Sequence, residues 1–440
     1  MSRSLRRWLV VAVAAVLLVG SGAFAVVRHY RAHRCEAHVQ SVADASSPFL
    51  SVAQRAARPD ARRDRLVRAA ASWPAPFGRV LGAAGYDYDQ YLHVAGLPGG
   101  LAVWTRDSPE MAYLVEGRPR WGVRTDTRRS AWDAGAGRFL DIALPRKAPP
   151  EVVALSLAGG RPLWCARLGA QPVGPDDPLA TQVLPGGDVA ALTPGPPGQV
   201  WLSRLAAGDG GLRWHRTVRA GGGFLGDLGH GTLVAGGVPA WRLADPAWLA
   251  DQPQRVSVAA VSTRSGELRW TWESAAGTAV HVLGLDPSAG RVVLMSWGPR
   301  GGQVFALDRF GMPVWSVEPF PGHHLDATLR ADRVLVRGHD HLAAYDARTG
   351  RLVWQRRTPA RPQFFPYGFE LDSVPFLDAR HVLLPTTTAV RALDLDTGLM
   401  SSYPLPRDGI STTFWPYQLA VTDRAVAVVT NTGAVLLSRR

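Results

Sequence analysis

The chain has 440 residues with 46 Gly, 34 Pro and 9% aromatics, which suits a turn-rich β protein with a large core better than a helical one. Its formal net charge of +13 is unevenly placed: residues 1–72 hold 12 Arg against 4 acidic residues, so the basicity belongs to the start of the chain. A folded basic face that tracks nucleic acid is thereby excluded, and two cysteines, Cys35 and Cys165, exclude a disulfide-built scaffold while leaving one bridge open.

In chain order, the first element is a cationic leader, residues 1–7, ahead of the uncharged run Trp8 to Val27. Twenty helical residues at 1.5 Å each just cross a hydrocarbon core of roughly 30 Å, which predicts a transmembrane signal anchor. Ala23-Phe24-Ala25 also fits a signal-peptidase site, so a cleaved signal peptide is the alternative. Either reading exports the rest of the chain, and the anchor reading places it at the bacterial cell membrane, single-pass, with the propeller on the extracytoplasmic side. Residues 28–72 are rich in Arg and Ala, with Pro59 interrupting the apolar positions, and predict a stalk of two short helices.

From residue 73 the helical periodicity is replaced by short apolar runs separated by Gly, Pro and Asp. Six times a Gly stands four residues before a Trp: Gly117/Trp121, Gly160/Trp164, Gly210/Trp214, Gly266/Trp270, Gly311/Trp315 and Gly350/Trp354. The tryptophans follow one another at 43, 50, 56, 45 and 39 residues. A seventh copy keeps Gly398 but has Ser402 in place of Trp, and an eighth ends before that position. Each copy reads as strand, tight turn, strand, Gly-closed turn and a strand carrying Trp. In the sixth copy the strands are expected around 333–337, 341–346 and 351–355. A sheet with an indole on one face cannot bury it alone, so such units stack on one another.

Forty-odd residues per four-stranded unit is the spacing of a propeller blade. The phrase "AAYDARTGRLVW" (residues 343–354) matches A-x-D-x-x-T-G-x-x-x-W, and on it the chain from about residue 90 resembles the PQQ-like (quinoprotein-type) β-propeller family. The resemblance implies an all-β, eight-bladed β-propeller of four-stranded antiparallel blades over residues 73–440, with seven blades as the alternative. The eighth blade lacks an outer strand, and the segment around Pro76–Leu81 is expected to supply it.

The family includes quinone-dependent dehydrogenases, which resemble longer chains with an adjacent-cysteine disulfide beneath the cofactor and a bound calcium. This sequence has no Cys-Cys pair and no position matching those ligands, so the expectation is no PQQ, no other cofactor and no catalysis. A quinone- or metal-dependent redox enzyme is the alternative. The repeat also builds an outer-membrane assembly lipoprotein and extracellular sensor domains of membrane kinases. The expected role is therefore a binding, scaffold or sensor module whose partner is another envelope protein. "GGGFLG" (221–226) formally fits a dinucleotide fingerprint, but "DLGHGTLV" follows where a helix is needed, so it reads as a loop between blades.

Functional signals lie where the copies differ. "GHHLD" enters the sixth blade and "GHDH" is its second turn, so His323, His324, His339 and His341 are expected on one face as candidate metal ligands, with Asp326 or Asp340 as an oxygen donor. Long Pro-rich loops on that face bring Trp241, Trp248, Trp297, Phe364, Phe365, Tyr367, Phe414 and Trp415 as candidate partner-binding aromatics; packing over the central channel as a lid is the other reading.

Overall fold

The computed structural model describes residues 40–42, 61–85, 92–105, 110–115, 118–124, 128–135, 137–144, 149–168, 179–239, 255–298, 301–320, 326–338, 340–358, 374–386, 389–405, 416–430 and 433–439. Among these residues the strands form eight antiparallel sheets, most of them four-stranded meanders taken in chain order. The result is an all-β, propeller-like fold. In the sixth sheet the strands Arg333–Arg337, His341–Asp346 and Leu352–Arg357 fall where the repeat placed them, behind an inner strand Asp326–Arg330. The seventh sheet has three strands in the described residues, His381–Pro385, Ala389–Asp394 and Met400–Pro404.

Position within a sheet explains the residue pattern of each strand. Middle strands are covered by a neighbouring sheet on both faces, so they read as near-continuous apolar runs; Val334, Leu335, Val336, Leu342, Ala343 and Ala344 are all fully buried. Outer strands are largely exposed, and their Trp is the residue by which most of them meet a neighbour. In Leu352–Arg357, Trp354 is buried while the other five residues are exposed.

The Gly–Trp spacing is a two-part joint between consecutive sheets. Each indole N–H donates to a carbonyl in the Gly-closed turn of the next sheet: Trp121 to Leu157 (2.7 Å), Trp164 to Ala207 (2.9 Å) and Trp214 to Thr263 (2.9 Å). The series continues with Trp270 to Arg309 (2.8 Å), Trp315 to Ala347 (3.0 Å) and Trp354 to Leu395 (2.8 Å). The ring then lies on the glycine of that same turn. A Cβ on Gly350 would stand 2.8 Å from the Trp315 ring, and one on Gly398 would stand 2.7 Å from Trp354. Both glycines also sit in the left-handed region, at φ +71° and +68°. Glycine is thus required twice, for the turn and for the neighbour's indole.

The Asp of the repeat closes the turn from inside. Asp346 Oδ1 accepts from the amides of Arg348 (3.1 Å) and Thr349 (2.8 Å) and from the Thr349 hydroxyl (2.7 Å). Asp394 accepts in the same way from the amides of Asp396 (2.9 Å) and Thr397 (2.8 Å).

The seventh sheet, which has Ser402 in the Trp position, joins the eighth differently. Trp73 donates its indole N–H to the Pro404 carbonyl (2.9 Å), and Trp73, Phe77 and Tyr403 form an aromatic trio with centroids 4.5–5.8 Å apart. The strand Phe77–Gly85 pairs antiparallel with Gly433–Arg439, so the segment before the first repeat supplies the outer strand of the last sheet. Between the eighth sheet and the first, the Gln418 side-chain oxygen accepts from the Val94 amide (2.9 Å), and Gly96 leaves room for the Val421 carbonyl, 2.3 Å from where its Cβ would be.

The segment expected as a two-helix stalk differs from that reading. Gln40–Val42 is a strand, paired with Gly122–Arg124 on the outer edge of the first sheet. The one helix described there, Ala61–Ala71, buries Leu66 and Ala70 on one face and packs into the cluster that holds Trp73, Phe77 and Tyr403. Four-residue spacing puts Leu66 and Ala70 on one face of the helix, and Trp73, two residues past its end, joins the same cluster, which is why the helix docks instead of standing free. Pro74 follows its end. Among the described residues no helix is long and apolar enough to cross a membrane, and Trp8–Val27 lie outside them.

Candidate functional site

Two of the predicted site residues, His341 and Trp297, lie in the described residues. Of the four histidines, His341 lies in the described residues; His323, His324 and His339 lie outside them. His341 opens the third strand of the sixth sheet, half-buried, with Nδ1 2.7 Å from Asp340 Oδ1 and its ring stacked 5.7 Å from the buried Phe320. Arg357 approaches the other Asp340 oxygen at 3.4 Å. Desolvation pushes the Asp340 carboxyl up, but the His341 hydrogen bond and charge and the Arg357 guanidinium outweigh it and hold the group below its ordinary value. Asp326, the other candidate oxygen donor, is ion-paired with the buried Arg337 across the first two strands. Both carboxylates are therefore engaged by cations. Among the described residues no cluster of three or more metal-ligating side chains occurs.

Of the eight aromatics, Trp297 is in the described residues, while Trp241, Trp248, Phe364, Phe365, Tyr367, Phe414 and Trp415 lie outside them. Trp297 ends the second strand of the fifth sheet and packs, partly buried, against the core shared by the fifth and sixth sheets. Its indole is joined to that core more than it is presented to solvent.

Two grooves flank the joint between the fourth and fifth sheets. One, of about 500 Å³, opens beside the outer strand Pro313–Val317 and has an aromatic wall of Trp272, Phe305 and Trp315. Trp272 reaches it because it lies two residues beyond the joint residue Trp270, on the same side of its strand, with its ring 5.2 Å from Phe305. The other, of about 330 Å³, lies by the Gly-closed turn, where the Arg309 guanidinium stacks 4.9 Å over the exposed Phe310 ring. The repeat reading missed both, although the second Trp in "WTW" and the uncharged "PVWSV" are departures from the other copies.

Three other features are settled by local geometry. Cys165 is disulfide-bonded, and Cys35, the chain's other cysteine, lies outside the described residues. "GGGFLG" runs into the strand Phe224–Gly229, and a Cβ on Gly221 would stand 2.0 Å from the Gly237 carbonyl oxygen, so its glycines permit close backbone packing. Ser203 and His215 are 2.9 Å apart across two strands, but the serine is buried at 3% exposure and offers no nucleophile to a substrate.

Residues 254–439 match a family model described as outer membrane protein assembly factor BamB. In fold the chain is similar to BamB from Moraxella catarrhalis, with 14% identity and a TM-score of 0.51, over 82% of this chain and 100% of that one. It is similar to the Dos1 propeller at 11% identity and a TM-score of 0.53, over 81% of this chain and 93% of that one. A quinohemoprotein alcohol dehydrogenase from Comamonas testosteroni aligns at 13% identity and a TM-score of 0.48, over 89% of this chain and 84% of that one. No curated protein matches the sequence. At these identities the likeness is one of fold.

Proposed function

We propose that this chain, a member of the PQQ-like β-propeller family, is an eight-bladed binding or scaffold module of the bacterial envelope and not an enzyme. The observation that carries the reading is where the repeat spends its chemistry. Asp346, Thr349 and Trp354, the residues that recur, are consumed in closing turns and joining sheets. What varies between copies is loop and edge, the parts of a rigid scaffold that commonly bind. The match of residues 254–439 to an assembly-factor family supports a partner that is itself an envelope protein. Anchoring through residues 8–27 would hold the ring on the extracytoplasmic side of the membrane, and nucleic acid is no part of the proposal.

The aromatic loops are the proposed capture surface. Crosslinking in native membranes should recover a discrete envelope protein, and exchanging Trp241 and Trp248 for Ser should abolish that crosslink while the melting temperature stays nearly unchanged. A large loss of stability in this variant would assign the loops to a lid over the channel instead.

A further inference from the structure

We propose that the outer edge of the fifth sheet, Pro313–Val317, is a docking edge for an extended, uncharged strand of a partner protein, which adds to the sheet beside the groove of about 500 Å³. The proposal deepens the binding-module reading and rests on it.

An outer strand presents a row of unpaired backbone groups, and proteins blunt such edges with charge, proline, short length or a covering segment. In Pro313–Val317 the proline stands at the first position, so the docking edge proper is Val314–Val317. The second, third, fourth and sixth outer strands carry Arg167, Arg213 with Arg216, Arg269 with Glu273, and Arg356 with Arg357. The first is covered by Gln40–Val42. The eighth carries Arg79, and the seventh is uncharged but turns Ser401 and Ser402 to solvent. Pro313–Val317 has no charge, and Val314 is 43% exposed on it. Just before it stand Phe310 and Met312, at 64% and 62% exposure, so three of the ten exposed large apolar side chains among the described residues lie along this one edge.

The chemistry of the occupant follows from the walls. Among the described residues no charged side chain lines the groove: Trp272, Phe305 and Trp315 form an apolar side, and Ser274, Ser296 and Gln303 supply uncharged hydrogen-bonding groups. A charged side chain would lose its hydration there without a partner, whereas alternate apolar side chains of a strand would meet the aromatic wall. The mode is already used once in this molecule, where Gln40–Val42 adds a strand to the first sheet by backbone pairing. The five residues of the strand span about 17 Å at roughly 3.3 Å per residue.

The test uses the full-length chain and a fluorescein-labelled, capped eight-residue peptide of alternating Val and Thr, followed by anisotropy. Saturable binding is expected, weakened about ten-fold or more by Val314→Lys and by N-methylation of alternate peptide amides. Leu352→Lys on the sixth outer strand should leave it unchanged. Absent binding, or binding indifferent to Val314→Lys and to N-methylation, overturns the proposal. So does a concentration-dependent dimer that Val314→Lys dissolves, which would give the edge to a second copy. Crosslinking in native membranes separates the two levels: a partner still captured when the peptide fails to bind leaves the module standing and removes only the edge.

Discussion

Gly398→Ala adds one methyl group at the joint between the sixth and seventh sheets and tests the coupling of turn and indole directly. The residue lies at φ +68°, where a Cβ costs about 1–2 kcal/mol. That Cβ would also stand 2.7 Å from the Trp354 ring, a contact the packed joint can relieve only by shifting, at about 1–3 kcal/mol. The single variant should therefore lose about 2–5 kcal/mol. Trp354→Ala removes a buried indole and its 2.8 Å bond to the Leu395 carbonyl, for about 3–5 kcal/mol. In the double variant the steric part of the glycine effect has nothing to act on. Its total should fall short of the sum of the singles by about 1–3 kcal/mol. Urea denaturation followed by far-ultraviolet circular dichroism gives the three values. Additivity within about 0.5 kcal/mol would mean that Gly398 serves its turn alone, and the account of the joint would be wrong.

Other consequences follow from the same structure. Desolvation pushes Asp346 up, but the Thr349 hydroxyl and amide, the Arg333 guanidinium and the Arg348 amide together hold it below its ordinary value of 3.8. A carboxyl depressed in the fold stabilises above its unfolded value and loses that contribution as pH falls through the folded one. The melting temperature should thus drop on acidification below about pH 4, and drop less steeply in Asp346→Asn. His215 is depressed from 6.5, first by desolvation and then by the Arg216 charge. Unfolded chains then bind the proton more readily than folded ones, so stability should fall as pH drops below about 6.5, and His215→Gln should flatten that slope. Trp73→Phe leaves the Pro404 carbonyl without its donor and should cost about 1–3 kcal/mol in denaturant unfolding; a neutral result would deny Trp73 its part in closing the last sheet. For the histidine loops, zinc titrated calorimetrically should give heat that His339→Ala removes if those four side chains converge, and no heat if they do not.

What could be read from the residues alone divides along physical lines. The Gly–Trp spacing is local, so it located six of the repeats, the Gly398 turn marked a seventh, and the missing outer strand of the last one pointed to the segment near Phe77. The partner of each Trp was not legible, because the glycine it covers belongs to the following copy, as Gly398 does for Trp354. Gln40–Val42 has no strand signature of its own; its pairing comes from the open edge it meets. The helix Ala61–Ala71 was legible as a helix, but its docking depends on Tyr403, more than 300 residues away. The groove beside Pro313–Val317 escaped notice because its signal is an absence of charge, visible only when the outer strands are compared. Trp297 packs against the core of the fifth and sixth sheets because it stands on a strand, paired with Ala279 and Gly302 on either side.

Absorbance titration of the purified chain with PQQ and Ca²⁺, followed by dye reduction with alcohols or sugars, tests the central claim most directly. A binding module should show neither saturable cofactor binding nor substrate-dependent reduction. Saturable binding together with turnover would make the chain a dehydrogenase and contradict the account.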